Sequence, residues 1–104
     1  MIEKTVTIKN RLGMHARPAA LFVKTAAQFK SDISVIKDGL EVNGKSIMGV
    51  MMLAAEQGSQ ITLRADGEDE REAIEALEKL INDKFYEDNG AEGDGGQQTS
   101  GSAT

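Results

Sequence analysis

An α+β fold, a four-stranded antiparallel sheet with three helices packed on one face, is predicted by three features of this 104-residue chain. Four short β-prone runs alternate with three helical patterns in the order β-α-β-β-α-β-α. Two tight-turn dipeptides, Asp38-Gly39 and Asp66-Gly67, punctuate them. Each helical pattern carries an apolar stripe on one side, as helices covering a single sheet face require.

Residues 2–8 mix β-branched and polar residues in partial alternation and read as a half-buried strand. Asn10-Arg11-Leu12-Gly13 is a loop. A helix then runs from Ala16 to about Phe29, with Pro18 in its first turn, where the missing N–H is harmless. Ala19, Phe22, Val23, Ala26 and Phe29 form its core stripe; Arg17, Ala20, Leu21, Lys24 and Ala27 form the other face, apolar at its centre and cationic at its edge.

Ile33–Ile36 and Leu40–Val42 pair as a hairpin across Lys37-Asp38-Gly39, and Asn43-Gly44 turns the chain again. Ser46 reads as the N-cap of a short helix through Leu53. That helix holds more apolar residues than one buried stripe needs. Val50 and Leu53 are expected inside, with Ile47, Met48 and Met51 joining Ala20, Leu21 and Lys24 in an exposed docking patch. Gln60–Ala65 is the fourth strand, with Ile61, Leu63 and Ala65 inward. Asp69 and Glu72 fit a capping box, opening a last helix with the stripe Ala73, Ile74, Leu77, Leu80 and Ile81. Residues 1–86 thus form one domain. Residues 87–104, acidic and glycine-rich without a large apolar side chain, are expected to be a disordered tail.

Charge is unevenly spread. Residues 1–64 carry nine Lys/Arg against five Asp/Glu, whereas residues 65–104 carry three against twelve, giving the net −5. The mildly basic N-terminal part favours an acidic partner or a phosphoryl group. No basic cluster or aromatic platform suggests nucleic acid. The absence of cysteine excludes disulfides and thiol chemistry, and one histidine makes a metal site improbable. The longest apolar run is far too short to span a bilayer and no signal peptide opens the chain, so a cytoplasmic protein is expected.

The only histidine lies in Gly13-Met14-His15-Ala16-Arg17-Pro18-Ala19, where a helix begins. Imidazole is the side chain whose ordinary pKa lies near neutrality, and it can serve as a nucleophile there. A helix start presents unsatisfied N–H groups and a positive dipole end, Arg17 can hold phosphate oxygens in a fork, and Gly13 permits a close backbone approach. The blander alternative, a capping or core histidine, explains none of these neighbours. His15 is read as a phosphoryl acceptor. A decoy pattern, Gly39-Leu40-Glu41-Val42-Asn43-Gly44-Lys45-Ser46, satisfies G-x-x-x-x-G-K-S/T, but its middle reads as a strand and no long helix follows.

The stretch Gly13–Ala19 resembles the active-site signature of HPr, the histidine phosphocarrier of the bacterial phosphotransferase system. Gly44-Lys45-Ser46-Ile47-Met48-Gly49-Val50-Met51 resembles that family's regulatory serine and docking helix, and Ala65-Asp66-Gly67 fits as well. The resemblance covers residues 1 to about 85. It implies an HPr-like open-faced β-sandwich and a phosphocarrier rather than an enzyme, without a cofactor. It implies that His15 receives a phosphoryl group from enzyme I and passes it to EIIA domains of sugar permeases, with Arg17 and the backbone N–H groups of Ala16 and Arg17 holding the phosphate. It also implies phosphorylation of Ser46 by HPr kinase/phosphorylase, and a monomer. Rival readings are a paralogue serving nitrogen-related regulation and a purely regulatory interaction module. Two departures stand out: Ala27 where many relatives carry a basic residue, expected to soften docking, and Ala54 where glycine is frequent, expected to extend or tighten the short helix.

Overall fold

The structure is a computed structural model that describes residues 1–86; the expected tail, residues 87–104, lies outside the described residues. The elements are β1 (Ile2–Thr7), α1 (Ala16–Ala26), β2 (Asp32–Lys37), β3 (Leu40–Asn43), α2 (Ile47–Met52), β4 (Gln60–Asp66), α3 (Glu70–Asn82) and a closing turn at Lys84–Tyr86. The four strands form one antiparallel sheet in the order β1-β4-β2-β3.

Alternation along the strands sorts their side chains onto two faces. Val6, Ile33, Val35, Ile61, Leu63 and Ala65 point inward beneath the helices, and all are buried. The register places Val35 against Leu63 and Ile33 against Ala65, so β2 and β4 supply the middle of the core. The opposite face is polar: Thr5 and Thr62 share a hydrogen bond of 3.0 Å, and Arg64 bridges Glu3 at 2.6 Å and Glu41 at 3.1 Å. The helices contribute Ala19, Phe22 and Ala26 from α1, and Ala73, Ile74, Leu77, Leu80 and Ile81 from α3. Losing a buried aromatic such as Phe22 costs about 3–5 kcal/mol, because both transfer energy and packing go with it.

The β2–β3 hairpin closes on Asp38 (φ 50°) and Gly39 (φ 84°), two positive φ values in succession that match the right-handed twist of the flanking strands. Helix α1 stops at Ala26, three residues short of the sequence expectation. Gln28 and Phe29 donate to Thr25 and Ala26, tightening the end into i→i+3 bonds, and Phe29 is left half-buried.

The expected Asp69–Glu72 capping box does not form. Asp69 is the residue before α3, but its carboxylate makes no cap bond. It reaches instead to the segment after α1, accepting from Lys30 N (2.9 Å), Ser31 N (3.0 Å) and Ser31 Oγ (2.5 Å). These donors hold its pKa down to about 2. The carboxylate found bridging at the start of α3 is Glu70, which accepts from Gly67 N at 3.0 Å.

At the other end of α3 the chain turns through three consecutive residues with positive φ, Lys84, Phe85 and Tyr86. The unfavourable left-handed backbone is offset by Phe85, which is fully buried and closes the core.

Candidate functional site

His15 occupies the position just before α1, in extended conformation (φ −91°, ψ −168°), and its carbonyl accepts the first intrahelical bond, from Ala19 N at 2.9 Å. Its side chain makes no capping bond, so it does not serve the role that a serine or aspartate would take there. The imidazole is half-buried and its Nε2 atom is buried.

The helix end around it is short of anions. Ala16 and Arg17 precede the first intrahelical donor, and Pro18 has no N–H, so two backbone donors are left pointing out of this end. No acidic residue stands in the first turn of α1. Arg17 is exposed and enters none of the ion pairs among the described residues. Helix α3 is built the other way, with Glu70 and Glu72 in its first turn. One helix start is neutralised by its own carboxylates; the first turn of the other, beside His15, carries Arg17 and no acidic residue.

The loop that presents His15 is rigidly backed. The buried Asn10 donates through Nδ2 to the Gly13 carbonyl at 2.7 Å, and Gly13 N donates to the Asn10 carbonyl at 3.2 Å. Met14 N donates to the Ala55 carbonyl at 2.8 Å, and the Met14 side chain is buried. Gly13 has φ +72°, and a Cβ there would collide with the Ala55 carbonyl oxygen and come within 2.9 Å of Glu56 Cα. Its close approach is therefore to a neighbouring loop rather than to a ligand. Asn10, Met14 and Ala55 have no chemical role and could not be singled out from sequence; Asn10 three residues before a glycine is the single local cue.

Helices α1 and α2 lie side by side and antiparallel. Lys45 Nζ, just before α2, donates to the Phe29 carbonyl past the end of α1 at 2.7 Å, whereas Ala55, just beyond α2, bonds Met14 before the start of α1. Ile47, Met48 and Met51 are exposed, as are Ala20 and Lys24, and Leu21 is half-buried; Val50 and Leu53 are buried. Met48 leaves 74% of its surface open. Met52, which the sequence reading left out of this surface, is also exposed at 66%. Six apolar residues across two turns leave several with no core to enter.

Ser46 caps α2: its hydroxyl accepts from Gly49 N at 3.0 Å. It lies at the end of α2 remote from His15, with the six residues of that helix, a rise of about 9 Å, between it and the Ala55 end. Ala54 follows Leu53 in the left-handed region (φ 49°), after i→i+3 bonds from Leu53 to Val50 and from Ala54 to Met51. It tightens the helix end and does not extend it. Ala27 is exposed at the C-terminal cap of α1.

The phosphate-loop pattern is dismantled by the fold. Its middle is strand β3, Gly44 packs against Ile33, and the Lys45 ammonium is held by Phe29. Among the described residues no three His, Cys, Asp or Glu side chains are grouped to hold a metal ion, and no helix is long and apolar enough to cross a membrane.

Comparison with known proteins agrees with this arrangement. The family described as "PTS HPr component phosphorylation site" matches residues 2–83. The phosphocarrier protein HPr of Neisseria meningitidis is 53% identical over 87 residues, covering 84% of this chain and 98% of that protein. The HPr-like protein Crh of Halalkalibacterium halodurans is 57% identical over 81 residues, covering 78% and 96% respectively. The crystal structure of HPr-C-His from Thermoanaerobacter tengcongensis superposes with a TM-score of 0.80 at 57% identity, covering 83% of this chain and 97% of that one. The chain belongs to the HPr family, the phosphocarrier proteins of the phosphotransferase system.

Proposed function

We propose that His15 receives a phosphoryl group from phospho-enzyme I and hands it to EIIA domains of sugar permeases, in the cytoplasm and as a monomer. The observation that carries this reading is the helix start beside His15, where the N–H groups of Ala16 and Arg17 precede the first intrahelical donor and the first turn carries an arginine and no acidic residue. With Nε2 buried, Nδ1 is the ring nitrogen assigned to the reaction. Its lone pair forms the new N–P bond as the donor leaves with the electrons of the old one, and the reverse step regenerates the free imidazole. The N–H groups of Ala16 and Arg17 and the Arg17 guanidinium meet the negative oxygens. Because the ring sits at a helix tip and is only partly buried, each partner can bring its own reacting group to it. No second titrating residue is required of the carrier.

Ile47, Met48, Met51, Ala20, Leu21 and Lys24 are assigned to partner docking. Flexible thioethers suit a surface that must repack against several proteins. Ser46 is assigned to regulation by HPr kinase/phosphorylase. A phosphate there is tolerated by the helix start it caps, and it acts by placing negative charge at the far edge of the docking surface rather than on His15 itself. Ser46→Ala incubated with that kinase and ATP is expected to stay unmodified while the unaltered chain gains one phosphoryl group. The rival reading, a purely regulatory module, gives no reason for a histidine at the anion-poor helix start. The transfer chain is tested by a chase: labelled phosphoryl loaded from phosphoenolpyruvate and enzyme I should leave the carrier when EIIA is added. Label that stays on the carrier would contradict the reading.

A further inference from the structure

The fold sorts the methionines of this chain into two kinds. Of the five, three lie within the six residues of α2, and Met48 and Met52, four apart, share one face of it. Both are open to solvent, and Met51 keeps 38% of its surface exposed. Met14 is the opposite case. It is packed into the core with 4% exposed, in the backbone that Ala55 holds immediately before His15. Met1 is also open, but its amino group is bonded to Glu70 of α3 rather than set on α2. The chain has no cysteine, so these thioethers are its only sulfur groups. An oxidant therefore meets sulfur on the face of α2, while the sulfur behind the histidine is shielded.

Helix α2 carries no charged side chain, so what it offers a partner is contact between apolar groups. A sulfoxide is polar and hydrated, and placing it in such a contact opposes association. The same change costs the free fold little, because these side chains already face water.

We propose that Met48, Met51 and Met52 form a reversible oxidation site, at which hydroperoxides convert the face of α2 to sulfoxides and weaken partner docking while His15 keeps its chemistry. This rests on the reading of α2 as part of the docking face. A sulfur lone pair attacks one peroxide oxygen, the O–O bond breaks and an S–O bond forms. The sulfur is oxidised by two electrons, and the peroxide is reduced to water, or to an alcohol where it is an organic hydroperoxide. In the reverse step two thiols of a sulfoxide reductase supply two electrons and two protons, the oxygen leaves as water and a disulfide forms.

The test treats the full chain alone with hydrogen peroxide and removes the oxidant before enzyme I is added. Peptide mass spectrometry should find one added oxygen on Met48 and on Met52 well before any on Met14. The oxidised chain should show a KM for enzyme I higher by about three- to tenfold, with kcat and Tm nearly unchanged. Reductases for both sulfoxide epimers should restore the original KM. The chain carrying Met48→Leu, Met51→Leu and Met52→Leu keeps Met1 as an internal control, and its KM should be the same before and after peroxide. Oxidation of Met14 as fast as Met48 overturns the sorting. A KM that rises equally in the triple leucine chain places the effect elsewhere and overturns the site. An unaltered KM in the oxidised chain overturns the inference alone if Met48→Glu still weakens transfer; unaltered transfer in both removes the docking reading and this inference with it.

Discussion

Met14 N donates to the carbonyl of Ala55 at 2.8 Å, tying the residue before His15 to the residue after a left-handed alanine. The site's rigidity therefore depends on a loop forty residues distant in sequence. Ala54 holds φ 49°, a conformation that costs an L-residue about 1–2 kcal/mol and glycine almost nothing. Ala54→Gly should stabilise the fold by about 0.5–1 kcal/mol after the extra freedom of the unfolded chain is subtracted. A rise in Tm of about 3–6 °C would register it; a fall in Tm would mean that the backbone there is not strained.

The facing substitution has the opposite sign. Gly13→Ala puts a methyl group into the Ala55 carbonyl and forces φ +72° on an alanine. A loss of about 2 kcal/mol or more in denaturant unfolding is expected. Displacement of His15 should also slow phosphoryl acceptance by about a hundredfold, since small misplacements of a reacting group are costly. Full stability with full activity would remove Gly13 from this account.

Asp69 gives the fold a pH dependence. The Ser31 hydroxyl, followed by the Lys30 N–H, lowers its pKa to about 2 from 3.8. A carboxylate depressed in the folded state contributes stability that is complete above its unfolded pKa and disappears as pH falls through its folded one. Asp69→Asn should therefore flatten the part of the stability–pH curve between about pH 4 and 2. Circular dichroism melts across that range would check it; curves that stay parallel would contradict the linkage.

Met48 is open to solvent, so replacing it with glutamate leaves the core untouched. Met48→Glu should raise the KM for enzyme I by about tenfold or more, with kcat and Tm nearly unchanged, because the charge disrupts docking and not chemistry. Unaltered transfer kinetics would take α2 out of the interface.

Most of the architecture was legible from local pattern. The stripe from Ala73 to Ile81 turned inward as its spacing required, Asp38-Gly39 made its hairpin, and Ser46 capped its helix. What sequence could not show was decided by tertiary contact. Asp69 had two possible uses, a local cap and a bridge to Ser31, and the three donors of the α1–β2 segment outbid a capping bond. Phe85 lies beyond the last apolar stripe that periodicity marks, yet it closes the core through a turn that propensity disfavours. Gly13 permits the close backbone approach its residue type suggests, but the neighbour it admits is the Ala55 carbonyl, distant in sequence and invisible to local pattern. At the site itself, the anion-poor helix start was visible in the order of residue types; the burial of one ring nitrogen was not.

The most direct measurement is intact and fragment mass spectrometry of the chain incubated with enzyme I and phosphoenolpyruvate. One phosphoryl group should appear, confined to the peptide containing His15, acid-labile as a phosphohistidine is, and absent from His15→Ala. A phosphoryl group that persists in His15→Ala, or none on the unaltered chain, would contradict the account.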